Sequence, residues 1–296
     1  MVQLAYQNDT EVMGMTQLTF IGDIHSAADD LRALLQDPVV AASRLIFLGD
    51  YIDGNPQRQF RDHVERAPLD PLGVLRLVRE RVDQHGDVAL LGNHDAFWTE
   101  TARWDTLQYQ TWKLNGGAQT WHRLGIHATS LPAVAAALSD APLKDLTDWL
   151  AARPLSWQNA AILAVHAGID WDRPLAQQRD DDLMWIRDDY YFASQQPDSG
   201  WHANDLGKVI VTGHTPVQVL APGRGYLKMQ ATPQDVPRYL IDAGSRSGVF
   251  DGGVGSLTLT AAGTVVQAKR AIKGRLYDGD QLVTEAMVAA PPAKTD

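Results

Sequence analysis

RLIFLGDYID, residues 44–53, is the stretch on which the fold turns. Its first five residues are almost all apolar and do not alternate with polar ones. They are too few for a stable helix, so the run reads as a strand buried on both faces. The run stops at Gly49-Asp50, where the chain becomes polar. The same grammar occurs in QLTFIGDIH, residues 17–25, and in DVALLGNHD, residues 87–95. Between these runs, residues 27–36 place Leu31, Leu34 and Leu35 on one helical face, and residues 71–84 read as an amphipathic helix. Strand, polar loop and helix, repeated three times, predict an α/β layered architecture. In such sheets functional groups gather beyond the carboxyl ends of the strands, where each of these runs delivers its polar cluster.

Residues 96–153 are helical in pattern and rich in Trp and Leu, and strand-like runs resume at 161–165, 209–212, 239–241, 257–260 and 264–269. The expected fold class is therefore α/β: two mixed β-sheets packed together and flanked by helices. One domain is expected over residues 16–270, with a Trp-rich helical insertion at about 96–153 and flexible tails at 1–15 and 286–296. The aromatic group Trp98, Trp104, Tyr109, Trp112 and Trp121 is expected to pack as helix core rather than to stack on a base. Asp180-Asp181-Asp182 reads as a solvated loop or helix start.

With 296 residues, 45% hydrophobic and 21% charged, the chain can bury a sizeable core. A formal net charge of -10 argues against a broad grip on a nucleic-acid backbone. It does not exclude phosphate substrates, because bound cations reverse the local field. There are no cysteines, which removes disulfides, thiolate metal sites and a cysteine nucleophile. No apolar run approaches the roughly 20 residues that span a bilayer, and the first fifteen residues carry no apolar signal core. A cytoplasmic location is the expectation.

Five clusters carry the chemistry: Gly22-Asp23-Ile24-His25, Gly49-Asp50-Tyr51-Ile52-Asp53, Gly92-Asn93-His94-Asp95, Val165-His166-Ala167-Gly168 and Gly213-His214-Thr215-Pro216. Each follows an apolar run and offers a carboxylate, carboxamide or imidazole. Divalent metals take oxygen and imidazole donors, and Asp23, His25, Asp50, Asn93, His166 and His214 make six. One bridging carboxylate lets two ions share that set, at roughly 3.5–4 Å from one another. Four of the nine histidines fall in these clusters. The others, His63, His85, His122, His127 and His202, read as surface or structural.

The pattern resembles the calcineurin-like metallophosphoesterase superfamily, with its GDxH, GDxxD, GNH[DE], later His before Gly, and GH motifs, over roughly residues 17–260. The resemblance implies a four-layer α/β/β/α sandwich and a phosphoesterase that uses two divalent transition-metal ions, Mn2+ first, with Fe, Zn, Co or Ni as alternatives. It implies Asp23, His25 and Asp50 at the first metal, with Asp50 bridging, and Asn93, His166 and His214 completing the second. His94 matches the family's catalytic imidazole, held by Asp53, and would act as general acid while a metal-bound hydroxide attacks phosphorus. Expected substrates are phosphomonoesters or nucleotide phosphoanhydrides, carried by a small molecule, a nucleotide or a phosphoprotein. A non-catalytic member that binds a ligand or partner is the alternative, disfavoured because every one of these residues is present.

Within the superfamily, Trp112-Lys113-Leu114-Asn115-Gly116-Gly117 with Thr120, and Met184-Trp185-Ile186-Arg187, resemble stretches of the bacterial serine/threonine protein phosphatases and symmetrical diadenosine tetraphosphatases. That resemblance makes Arg187 a phosphate contact. Leu240-Ile241-Asp242-Ala243-Gly244 resembles a late strand of the same branch, and the absence of a second His beside His214 speaks against a nuclease. One departure concerns Gly54, which stands where that branch usually has Arg. The span from Asp50 to Asn93 is also long, with an arginine-rich stretch at residues 55–66. Arg58 or Arg61 is expected to supply the guanidinium missing at Gly54.

Overall fold

The computed structural model describes residues 5–6 and 17–289. Its strands in chain order begin with β1 (Ala5–Tyr6), β2 (Gln17–Ile21), β3 (Arg44–Phe47), β4 (Gln57–Gln59), β5 (Val64–Arg66), β6 (Val88–Ala89) and β7 (Ser156–Gln158). They continue with β8 (Ile162–Val165), β9 (Val209–Thr212), β10 (Leu227–Met229), β11 (Arg238–Leu240), β12 (Val254–Thr260), β13 (Val265–Ile272) and β14 (Arg275–Asp278). One six-stranded sheet runs β14-β13-β12-β2-β3-β6 and the other β1-β7-β8-β9-β11-β10. Both are mixed: β2, β3 and β6 are parallel while β12 runs against β2, and β8, β9 and β11 are parallel while β7 and β10 run against them.

Period-two alternation on strands covered on both sides explains the unbroken apolar runs. Leu18 and Phe20 on β2, Ile46 on β3, Ile162 and Ala164 on β8, and Val209 and Val211 on β9 meet in one core between the sheets. Phe20 and Trp157 touch edge to face at 6.1 Å there. The alternate residues Ile21, Leu45 and Phe47 face a helical layer, and Leu163, Val165 and Ile210 face another on the far side. The order of layers is α/β/β/α, as the motifs implied.

Helices α1 (Ala28–Leu35), α2 (Pro38–Ala41) and α3 (Pro71–His85) cover the first sheet. The last begins on Asp70, whose carboxylate accepts from Gly73 N at 2.8 Å, has Pro71 in its first turn, and ends on Gly86 in the left-handed region. The Trp-rich segment is α4 (Asn93–Ala102), α5 (Thr106–Leu114), α6 (Gly117–Arg123), α7 (Leu131–Ser139) and α8 (Lys144–Ala151). Trp98, Tyr109, Trp112 and Trp121 are buried in it, with Tyr109 stacked on Trp121 at 5.5 Å, whereas Trp104 is 57% exposed just past the end of α4. Asp180 opens α9 (Asp180–Trp185), so the acidic run is a helix start.

The arginine-rich stretch at 55–66 is the β4–β5 hairpin rather than a coil. Strand β13 runs to Ile272 and β14 completes the sheet, so the fold extends beyond residue 270. Glu285–Ala289 is a helical turn with Val288 buried near Phe60 and Tyr277, and Ala5–Tyr6 pair in parallel with β7. The rest of the two expected tails, residues 1–4, 7–15 and 290–296, lies outside the described residues. No helix among the described residues is long and apolar enough to cross a membrane.

Phe20 is fully buried where the two sheets meet, and Val266 is 41% exposed near the start of β13. Phe20→Ala should cost about 3–5 kcal/mol in a urea melt through its cavity, and Val266→Ala within about 0.5 kcal/mol of nothing.

Candidate metal centre

The carboxyl ends of β2, β3 and β6 deliver Asp23 with His25, Asp50, and Asn93 with His94, and those of β8 and β9 deliver His166 and His214. The turns that present them are strained in a concerted way. His25, Asp50, Asp53 and His214 all have positive φ, between 48° and 71°. Asp and His tolerate the left-handed region better than branched residues, yet only when neighbours hold them there. Asp95 is one such holder. Its buried carboxylate accepts from Asp50 N at 2.7 Å, Tyr51 N at 3.0 Å and Gly92 N at 3.1 Å, tying two of the turns to the start of α4. Asp23 accepts from His214 N at 3.0 Å, which joins the two sheets at the site. A side chain on Gly213 would put its Cβ 2.1 Å from Asp23 Oδ1, so that approach requires glycine.

The six expected donors converge. Asp50 turns one carboxylate oxygen to each side: Oδ2 lies 3.7 Å from His25 Nε2, and Oδ1 lies 3.5 Å from His166 Nε2. Asp23 Oδ2 is 3.9 Å from His25 Nε2. Asn93 Oδ1 sits 2.9 Å from His166 Nε2 and 2.8 Å from His214 Nδ1. These separations, 2.8–3.9 Å, bracket the coordination edges of about 3.0–3.5 Å expected for neighbouring ligands around an ion with bonds of about 2.1 Å.

The protonation pattern also suits cations. His25 Nδ1 donates to Ile52 O at 3.0 Å and His166 Nδ1 to Leu48 O at 2.9 Å, so each neutral ring points a lone pair from Nε2 at carboxylate or carboxamide oxygens. Burial keeps both imidazoles neutral by lowering their pKa, against the opposing pull of Asp50. Burial likewise pushes the Asp23 carboxyl well above the usual range, with Asp242 and Asp50 adding to the effect. Acceptors gathered against acceptors in a dry site are what divalent cations satisfy, so these residues fit such ions.

His94 stands beside the cluster. Its Nδ1 lies 2.6 Å from Asp53 Oδ2, which leaves Nε2 for the cleft. Burial disfavours the imidazolium, but the carboxylates of Asp50 and Asp53 outweigh it and raise the pKa to about 9. Asp53 is itself held from the other side. Trp112 Nε1 donates to its oxygens at 2.9 and 3.0 Å, and the Thr120 hydroxyl donates to Oδ1. The Trp and Thr of the W-x-x-N-G-G-x-x-T stretch thus orient the carboxylate that orients His94.

A model of the family described as calcineurin-like phosphoesterase matches residues 16–236. The chain belongs to the calcineurin-like phosphoesterase family. No curated protein matches it by sequence. Among solved structures it is similar to a candidate diadenosine tetraphosphatase, at 18% identity and TM-score 0.55 over 88% of this chain and 96% of that one. It also matches a metallophosphoesterase from Sphaerobacter thermophilus, at 14% identity and TM-score 0.49 over 87% of this chain and 89% of that one. A third match is a serine/threonine phosphatase from Saccharomyces cerevisiae, at 12% identity and TM-score 0.49 over 83% of this chain and 73% of that one.

The structure engages the two hairpin arginines away from the metal cluster. Arg58 is buried, and its guanidinium donates to Phe250 O at 2.5 Å and Gly252 O at 2.9 Å. It is spent on carbonyls that would otherwise be buried without a partner. Arg61 is exposed on the hairpin turn, where its backbone N–H donates to Glu285 at 2.9 Å. Neither lines the cleft at His94. Gly54 cannot carry a side chain at all: φ is +118°, and a Cβ would lie 2.8 Å from both Arg246 Cβ and His25 O. Arg187 does reach the cluster, with Nη1 2.7 Å from Thr215 Oγ1 and 3.5 Å from His214 O.

Sequence reasoning gave no role in the site to Asp95, Asp242, Trp112 or Thr120. Asp95 and Asp242 sit inside quoted motifs, but their work is hydrogen bonding and charge placement across the chain, which spacing does not report. Asp95→Ala leaves three buried N–H groups without an acceptor. It should cost at least about 3 kcal/mol in chemical denaturation, at about 1–3 kcal/mol per orphaned group.

Proposed function

We propose that the protein is a binuclear metal-dependent phosphoesterase that hydrolyses phosphomonoesters or nucleotide phosphoanhydrides. The observation that carries this reading is Asp50, whose two carboxylate oxygens each face a different imidazole, His25 and His166. Two divalent cations, Mn2+ first among Mn, Fe, Zn, Co and Ni, would be held by Asp23, His25 and Asp50 and by Asp50, Asn93, His166 and His214. When bound, they supply an acidified water and neutralise the phosphoryl oxygens.

The remaining work falls to this chain's own residues. Arg187, anchored through Thr215 on the His214 side, binds phosphoryl oxygens with the donors it has left; a guanidinium suits that task through its planar fork. His94, kept protonated at Nδ1 by Asp53, donates from Nε2 to the departing oxygen as general acid. Trp112 and Thr120 keep Asp53 from swinging away, so the imidazole stays aligned through the reaction. Burial of the donor set limits access of bulk water and strengthens each of these interactions.

Metal analysis of the purified protein should find about two transition-metal ions per chain, and chelation should abolish p-nitrophenyl phosphate hydrolysis until Mn2+ is restored. One ion or none per chain after Mn2+ loading is incompatible with the proposal. Asp23→Asn and His94→Asn should each lower kcat by about 10²–10⁴-fold, but only Asp23→Asn should lose metal on dialysis. Equal metal loss from both variants would contradict the roles assigned to them.

A further inference from the structure

The cleft against which His94 stands has a composition that selects its occupant. It measures about 500 Å³, the size that takes a small molecule. Asn55, Asn115, Gln119 and Ser247 contribute neutral polar side chains to its wall. Among the described residues that line it, basic side chains come only from His25, His94 and Arg246. His25 belongs to the metal cluster. Arg246 gives its guanidinium to Asp30 at 2.9 Å, to Asp29, and to Pro68 O at 3.0 Å, so three of its five N–H donors are committed and its charge is already met by two carboxylates. Asp242 adds a carboxylate to the same wall. Gly54 leaves no room for an arginine here, and Arg187 is held on the His214 side, outside this lining.

From this we infer that the cleft holds the leaving group and that the leaving group is small, neutral and hydroxyl-rich, a sugar or a nucleoside. The inference rests on the phosphoesterase reading and narrows it to phosphomonoesters of such alcohols. His94 must reach the departing oxygen, so what departs occupies the space His94 borders. Ser247 donates its hydroxyl proton to Gly244 O, Asn115 gives one amide N–H to Thr111 O, and Asn55 Oδ1 accepts from Gln57 N. That leaves the Ser247 and Asn115 oxygens as acceptors and the Asn55 amide N–H groups as donors, a mixture that matches alcohol groups. A leaving group bearing further phosphates, as in a dinucleoside polyphosphate, would bring several negative charges to a wall whose one guanidinium, Arg246, is already paired with two carboxylates. Unpaired charge in a partly dry cavity is heavily penalised.

The test compares kcat/KM of the Mn2+-loaded full chain for glucose 6-phosphate, uridine 5′-monophosphate, diadenosine tetraphosphate, a phosphoserine peptide and p-nitrophenyl phosphate. The sugar phosphate or the nucleoside monophosphate should exceed the tetraphosphate and the peptide by about tenfold or more, and whichever of the two leads identifies the alcohol. Gln119→Ala should lower the ratio of the preferred monoester to p-nitrophenyl phosphate by about three- to tenfold, the worth of one or two hydrogen bonds. In the His94→Asn background it should weaken calorimetric binding of that monoester by a similar factor. Preference for the tetraphosphate or the peptide, or unchanged ratio and binding in both Gln119→Ala and Asn115→Ala, overturns the inference while leaving the phosphoesterase reading intact. Failure of the metal-loaded wild type to hydrolyse even p-nitrophenyl phosphate overturns both.

Discussion

Four carboxylates, Asp23, Asp50, Asp95 and Asp242, are buried together at the junction of two sheets, and the structure around them is organised by that concentration of like charge. Left alone, such a group would protonate or swell apart, since water is excluded and mutual repulsion is weakly screened. Burial and its neighbours raise Asp242 to about 7 and push Asp23 and Asp95 well up. Backbone N–H groups from strained turns answer part of the charge: three reach Asp95, one Asp242 and one Asp23. The imidazoles of His25 and His166, fixed by carbonyls so that their lone pairs face inward, do not answer it. They complete a nest of acceptors suited to cations.

The second organising link runs from the helical segment to the imidazole. Trp112 and Thr120 hold Asp53, Asp53 holds His94, and Trp112 packs against Trp98 and Trp121 in the core of that segment. Asp53 is thereby held by aromatic packing 59 residues further along the chain. The same arrangement makes the Trp-rich segment part of the site rather than an appendage to it.

The charge distribution around the centre is lopsided. A guanidinium stands on the His214 side, while the His94 side is lined by carboxamides, hydroxyls and a carboxylate. The two most conspicuous arginines nearby, Arg58 and Arg246, are built into the protein, one on carbonyls and one on Asp29 and Asp30. Positive charge in a sequence is therefore a poor guide to positive charge in a cleft: a planar five-donor group is as useful for satisfying buried acceptors as for holding phosphate.

Local physics made much of this readable. The apolar runs at 17–21, 44–48, 161–165 and 209–212 could only be strands covered on both faces, and the glycine-flanked Asp, Asn and His that follow them could only be strand-end clusters. Those properties depend on neighbours within a few residues, so the α/β layering, the helix at 71–85 and the six donors were all visible in the chain. What lay beyond it were relations between distant residues. Arg58 lies near Asp50 in sequence, but it pairs with carbonyls almost two hundred residues away. Gly54 excludes a side chain because Arg246 and His25 crowd it, and Asp53 depends on a tryptophan 59 residues later. Spacing determined which chemistry the protein carries. Packing decided which charges remain free to use it, because a hydrogen-bond donor can be spent only once and only the folded chain shows where.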